Sequence, residues 1–199
     1  MEIEIDESLV VTIEFVIRVY KDKQDFQRAL EHHRESLRIK QKVLQVEDHL
    51  DIANSLNNFG FVYRQLNQLH RAVEYCQKSL RIRQKLLPPE HIAIAMSYHC
   101  TAGVYHDQGK HNLTLEYYNN ALQIRNKTFA FNDHLKVAEN LFSIGLTYES
   151  LAEFSVALEY FQKALDMNRK FLPVDYPHMT KLNDAIARIQ QEINNLSLN

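Results

Sequence analysis

The side chains of this chain best equipped to bind a metal or move a proton are its ten histidines and two cysteines. Three histidines recur in one context: Asp48-His49-Leu50-Asp51-Ile52-Ala53 returns as Glu90-His91-Ile92-Ala93-Ile94-Ala95 and as Asp133-His134-Leu135-Lys136-Val137-Ala138. Direct Zn–N bonds of about 2 Å need converging ligands. Equivalent positions on successive packed helices stand roughly 10 Å apart, so the three read as caps of the next helix or holders of the turn before it. His32 and His33 are helix neighbours that face different ways. His99 and His106 lie seven residues apart (99 to 106) and share a face, but no carboxylate recurs with them. Cys76 and Cys100 form no metal or redox spacing, and Cys76 falls on an apolar stripe as a core residue would. The chain has no Gly-rich phosphate loop, nucleophile elbow or HExxH motif. The expectation is no catalytic, cofactor or metal site, and so a non-enzymatic protein.

The elements that carry these residues are set by the repeat itself. A worn fourth copy reads Asp175-Tyr176-Pro177-His178-Met179-Thr180, and the His/Tyr steps are 42 (49 to 91), 43 (91 to 134) and 42 (134 to 176). Tyr20, Tyr63, Tyr105 and Tyr148 keep the same beat. A period of this length marks an all-α solenoid, whose units bury their apolar faces against their neighbours. Within a copy, Leu56, Phe59, Gly60 and Tyr63 form one stripe at helical spacing, and Val73, Cys76, Leu80 and Ile82 another. Each unit is therefore two antiparallel helices. Helices A are expected over about 7–21, 50–66, 92–108 and 135–151, and helices B over about 25–45, 69–87, 111–130 and 154–171. Asn67 and Gly109 sit in the A–B breaks, where a left-handed residue ends a helix. Pro88, Pro89, Pro173 and Pro177 all fall between units or before the last helix.

A single array is expected over 1–198, in units of about 6–48, 49–90, 91–133 and 134–175, with a capping helix over about 178–196. Asn183, Arg188, Gln190, Gln191 and Asn195 make that helix polar where a fifth unit would follow. Residues Leu9–Tyr20 are rich in β-branched side chains and read alone as a strand, but the register argues for helix. That segment is apolar on nearly all sides. Leu9, Ile13, Val16 and Ile17 imply either a longer parent protein or a covering partner such as a second copy.

Formal charge is −2 and the pI near 6.5, so no global field draws the chain to nucleic acid or an anionic membrane. No apolar run approaches the ~20 residues of a membrane span. The acidic Met1-Glu2-Ile3-Glu4 start is unlike a signal peptide, and the default compartment is cytoplasmic. Basic residues gather late in the B helices, among them Arg81, Arg83, Lys85, Arg125 and Lys127. They read as offsets to the helix macrodipole rather than a cationic binding stripe.

The repeated residues resemble the tetratricopeptide repeat, in the long form of kinesin light chains. On helix A the family places a large residue, a large–small pair and Tyr; on helix B, small–large–small. The second unit supplies Leu56, Phe59, Gly60, Tyr63, Ala72, Cys76 and Ser79. The third supplies Tyr98, Thr101, Ala102, Tyr105, Thr114, Tyr118 and Ala121, and the fourth Leu141, Ile144, Gly145, Tyr148, Ala157, Phe161 and Ala164. Leu80-x-Ile82 before Glu90-His91 recurs as Leu37-x-Ile39 and Leu122-x-Ile124. The resemblance implies an all-α, right-handed α-solenoid of antiparallel helix pairs, about four units and a capping helix. The heptad coiled coil of a light chain is absent, and the units are four rather than six.

The resemblance also implies a concave peptide groove lined by the A helices. Carried over, its residues are Asn54, Asn57, Asn58, Phe61 and Arg64 in the second unit; Met96, His99, His106 and Asp107 in the third; and Glu139, Phe142, Ser143, Leu146 and Glu149 in the fourth. Asn58 matches a peptide-holding asparagine of the family. Phe61, Met96, Phe142 and Leu146 would form an apolar floor. The basic pair with which one subclass clamps a C-terminal carboxylate is missing. The expected partner is a protein or peptide with apolar anchors and basic residues near Asp107, Glu139 and Glu149. The alternative is a regulatory or oligomerising fragment of a larger protein.

Overall fold

The computed structural model of the chain describes residues 23–44, 48–127, 134–171 and 177–197. It divides into two compact units, Met1–Leu86 and Leu87–Asn199. The first holds α1 (Lys23–Leu44), α2 (Leu50–Gln65) and α3 (Leu69–Leu86). The second holds α4 (Ile92–Asp107), α5 (His111–Lys127), α6 (His134–Ser150), α7 (Phe154–Arg169) and α8 (Pro177–Ser197). The described residues contain helix and no strand, and the boundaries match the repeat register. The helix expected over 7–21, with Leu9, Ile13, Val16 and Ile17, lies outside the described residues.

The linker histidines explain how the A helices start. His49 Nδ1 accepts the Asp51 N–H at 3.1 Å, and His91 Nδ1 accepts the Ala93 N–H at 3.1 Å. Each therefore satisfies an N–H that the first helical turn leaves open. His134 behaves otherwise: it is buried and stacks on Phe171 with centroids 3.9 Å apart. The acidic residue before each capping histidine ties down the end of the helix B that follows in the same repeat. Lys85 pairs with Asp48, and Lys127 Nζ lies 2.8 Å from Glu90.

The A–B turns are built alike. Gln68 N–H bonds Tyr63 O at 2.8 Å, Lys110 N–H bonds Tyr105 O at 2.9 Å and Glu153 N–H bonds Tyr148 O at 2.9 Å. This closure needs a left-handed residue just inside it. Asn67 (φ 57°) and Gly109 (φ 70°) supply it as expected, but in the fourth unit it is Ala152 (φ 59°). A Cβ there meets the following carbonyl, a strain of roughly 1–2 kcal/mol.

The paired helices touch where a side chain is missing. A Cβ on Gly60 would lie 2.2 Å from Cys76 Sγ and 3.3 Å from Ala72 O; one on Gly145 would lie 2.5 Å from Phe161 Cε1. Beside each contact the marker tyrosine meets a second tyrosine from helix B. Tyr63–Tyr75, Tyr105–Tyr117 and Tyr148–Tyr160 have ring centroids 5.2, 5.2 and 5.5 Å apart. In the second unit one core runs from α6 through α7 to α8, with Val137, Leu141, Phe161, Met179, Leu182 and Ile189 at its centre.

Candidate functional site

The carried-over groove residues lie on α2 in the first unit and on α4 and α6 in the second. On α2, Asn58, Phe61 and Arg64 are half-buried. Asn54 is exposed, but its Oδ1 already accepts from Arg83 Nη2 at 2.7 Å. Asn57 is a correction: it is 7% exposed and packs inward rather than opening to a ligand.

In the second unit the A helices α4, α6 and α8 lie side by side, joined by side chains at three levels. His99 Nδ1 is 2.8 Å from Asn140 Oδ1, His106 Nε2 is 3.4 Å from Ser150 Oγ, and Arg188 grips Glu149 at 2.7 and 2.9 Å. Met96 on α4 is exposed, and Phe142 and Leu146 on α6 are half-buried. Phe142 and Leu146 rest on the underlying core, with the Phe142 and Phe161 rings 5.4 Å apart. Ser143 Oγ donates to Glu139 O at 2.9 Å, a bond within its own helix.

The electrostatics differ from the sequence expectation. Glu139 bonds Lys136 at 3.0 Å, and Glu149 holds Arg188 in a two-point clasp. Burial pushes the Glu139 carboxyl up, but Lys136, His99 and Arg125 outweigh it and hold the group below its ordinary value. Two of the three carboxylates proposed to attract a basic ligand are thus compensated inside the chain. Arg188 is a second correction. It was expected to face a missing fifth unit, yet it turns back onto α6. Its long side chain finds a buried-edge carboxylate there, while Asn183, Gln190, Gln191 and Asn195 are exposed.

Beneath this face lies a polar network that sequence reasoning missed. Arg125, 2% exposed, donates from Nη1 to Lys136 O at 2.7 Å and to Asn140 Oδ1 at 3.0 Å. Asn140, fully buried, donates from Nδ2 to Tyr118 O at 2.8 Å. His99 stands on this network, its ring 5.1 Å from that of Tyr118. Burial, and then the Arg125 guanidinium, push His99 down to about 4. Arg83 (3% exposed) and Arg125, both in the last turn of a helix, are buried there. One signal was present: Asn140 stands where the earlier copies have Ser55 and Ser97.

His106, with Asp107 at 3.7 Å and Ser150 at 3.4 Å, superficially suggests a base with its acid and nucleophile. The Ser150 hydroxyl instead donates to Leu146 O at 3.0 Å, so its proton is engaged away from the imidazole. Among the described residues no three His, Cys, Asp or Glu side chains are placed to hold a metal ion, and no helix is long and apolar enough to cross a membrane.

Repeated helix pairs with one turn geometry, one close-contact rule and A helices ranged side by side define a helical-repeat solenoid, a class that presents surface to other proteins. Residues 10–85 and 93–170 match the tetratricopeptide repeat family, and the chain belongs to it. Its fold is similar to kinesin-light-chain TPR-like repeats of Podosopora anserina (TM-score 0.75, 22% identity, 97% of this chain and 90% of that one). It is also similar to BtubC (BKLC) from P. vanneervenii (0.78, 16%, 96% and 75%) and to the apo form of RapI (0.74, 19%, 94% and 64%). No curated protein matches the chain by sequence. As a tetratricopeptide repeat protein, the chain is a protein-interaction scaffold.

Proposed function

We propose that the chain is a non-enzymatic adaptor that holds an extended segment of a partner protein on the face formed by α4, α6 and α8. The observation that carries this reading is the composition of that face. Met96, Phe142 and Leu146 offer apolar contact, while the neighbouring charges are compensated within the chain. Such a surface favours a segment with a neutral polar main chain and one or two apolar anchor side chains over a strongly basic or acidic one. On the first unit, Asn58, Phe61 and Arg64 of α2 are half-buried and offer polar and aromatic contacts.

Peptides selected from a random library against the purified chain test the reading, with binding measured by fluorescence anisotropy. The selected sequences should carry central Leu, Met or Phe. Met96→Glu should weaken them about tenfold or more. Met96 is 47% exposed, so its replacement leaves the fold intact. Peptides that bind Met96→Glu as well as they bind the native chain would place recognition elsewhere.

A further inference from the structure

The hydrogen bonds around Asn140 fix the proton of His99. A guanidinium only donates, so the Asn140 atom 3.0 Å from Arg125 Nη1 is the acceptor Oδ1. Nδ2 is then free to donate to Tyr118 O, which accepts at 2.8 Å. The imidazole nitrogen 2.8 Å from Oδ1 must therefore carry the hydrogen, and it is Nδ1. A neutral imidazole has one N–H, so Nε2 is left as a bare lone pair. It makes no hydrogen bond with any described residue and is not among the enclosed side-chain atoms. The charged groups around the ring are Arg125 on α5 and Lys136 and Glu139 on α6.

We infer that His99 Nε2 is a fixed hydrogen-bond acceptor that receives a main-chain N–H of the bound segment and so sets its register along α4 and α6. This rests on the peptide-binding reading above and adds the chemistry of one contact. A carboxylate or phosphate could bond Nε2 only after protonating the ring, which Arg125 opposes. An ammonium gains little, because Glu139 is already bonded to Lys136. A neutral N–H donor is what remains.

The test uses the tightest peptide from the library selection, with each main-chain amide replaced in turn by an ester, on the native chain and on His99→Phe. One ester should weaken binding to the native chain by about tenfold and leave binding to His99→Phe unchanged. Equal ester effects on both proteins overturn the inference. Because His99→Phe also removes a bond to Asn140, the native chain alone provides a second measurement. Its His99 nitrogen shifts, in a 15N-histidine spectrum at neutral pH, should show Nδ1 protonated and Nε2 bare; the opposite tautomer overturns the inference without any variant. The two readings fail separately. Insensitivity of the peptide to Met96→Glu removes the binding face itself. Retained sensitivity with a flat ester series removes only the role of His99.

Discussion

Two joints of the second unit are built from equivalent positions and differ in kind. Where α5 meets α6, Arg125 bonds Lys136 O and Asn140 Oδ1, and Asn140 bonds Tyr118 O. Where α7 meets α8, the residue matching Arg125 (125 to 168) is Asn168, and the one matching Asn140 (140 to 182) is Leu182. All four are buried, at 2, 0, 1 and 1% exposure in that order. The first joint is directional: its hydrogen bonds specify one register and aim His99. The second is held by Met179, Leu182, Ala185 and Ile189, contacts without direction, and is pinned at its edge by Arg188 on Glu149. A repeat can thus close the same joint by bonding or by burial, and the bonded one lies under the face proposed to bind.

Breaking the polar joint should have the largest effect. Arg125→Ala leaves the Lys136 carbonyl without its side-chain donor, takes one of two donors from Asn140 Oδ1 and opens a cavity, for a loss of about 3–5 kcal/mol in urea denaturation. The comparison sharpens if Arg125→Met is combined with Asn140→Leu, which makes this joint apolar. That double variant should regain most of the stability. If it is as unstable as Arg125→Ala, the two joints are not interchangeable solutions.

Acid should also separate the joints. His99 is held down to about 4 from an unfolded value of 6.5, so the unfolded chain binds its proton more readily. The stability contributed by the neutral ring is fully present above 6.5 and is lost as pH falls through 4. The whole span is worth at most about 3 kcal/mol. Glu139, held below its ordinary value, adds a loss that begins as the pH falls into the usual carboxylate range and continues below it. Denaturation midpoints of His99→Gln should therefore be flatter than native between pH 6.5 and 4.5. Parallel curves would mean that the ring is not held neutral by this joint.

On the apolar side, Leu182→Ala should remove about 2–3 kcal/mol, because α8 packs chiefly on α7 and can settle into part of the cavity. Hydrogen exchange should show α8 opening well before α6 and α7. Uniform loss of protection across α6, α7 and α8 would mean that α8 is integral to the core rather than an added cap.

The apolar stripes were legible in the sequence and the polar joint was not, for a physical reason. Periodicity reports which positions face inward, so while the close contact at Gly145 came with the family pattern, stripes such as Leu56, Phe59, Gly60 and Tyr63 follow from spacing. So do the capping roles of His49 and His91, which recur with their linkers. Hydrogen bonds between helices depend on side-chain reach across a gap that spacing does not give. Arg125 looks in sequence like any cation near a helix end, and Arg188 like any polar residue of a cap. Asn57 was placed in the groove by carrying over a family position, yet it is buried. Ala152 breaks the Asn/Gly pattern of the A–B turns, and nothing local in the sequence marks it as left-handed.

The smallest effect concerns Asn168, where the two joints diverge without compensation. Neither Oδ1 nor Nδ2 has a hydrogen-bond partner among the described residues, although the residue is 1% exposed. The arginine it replaces reaches the next A helix; an amide two bonds from the backbone does not. Burying such a group unpaired costs about 1–3 kcal/mol relative to one that is satisfied. Leucine has the same branched skeleton, though bulkier, and no polar atom to strand. Asn168→Leu should therefore raise stability by about 1 kcal/mol, read as a higher urea midpoint with an unchanged slope. A lower midpoint would show that the amide is satisfied in solution, most simply by an enclosed water, and that the second joint is less dry than its apolar contacts suggest.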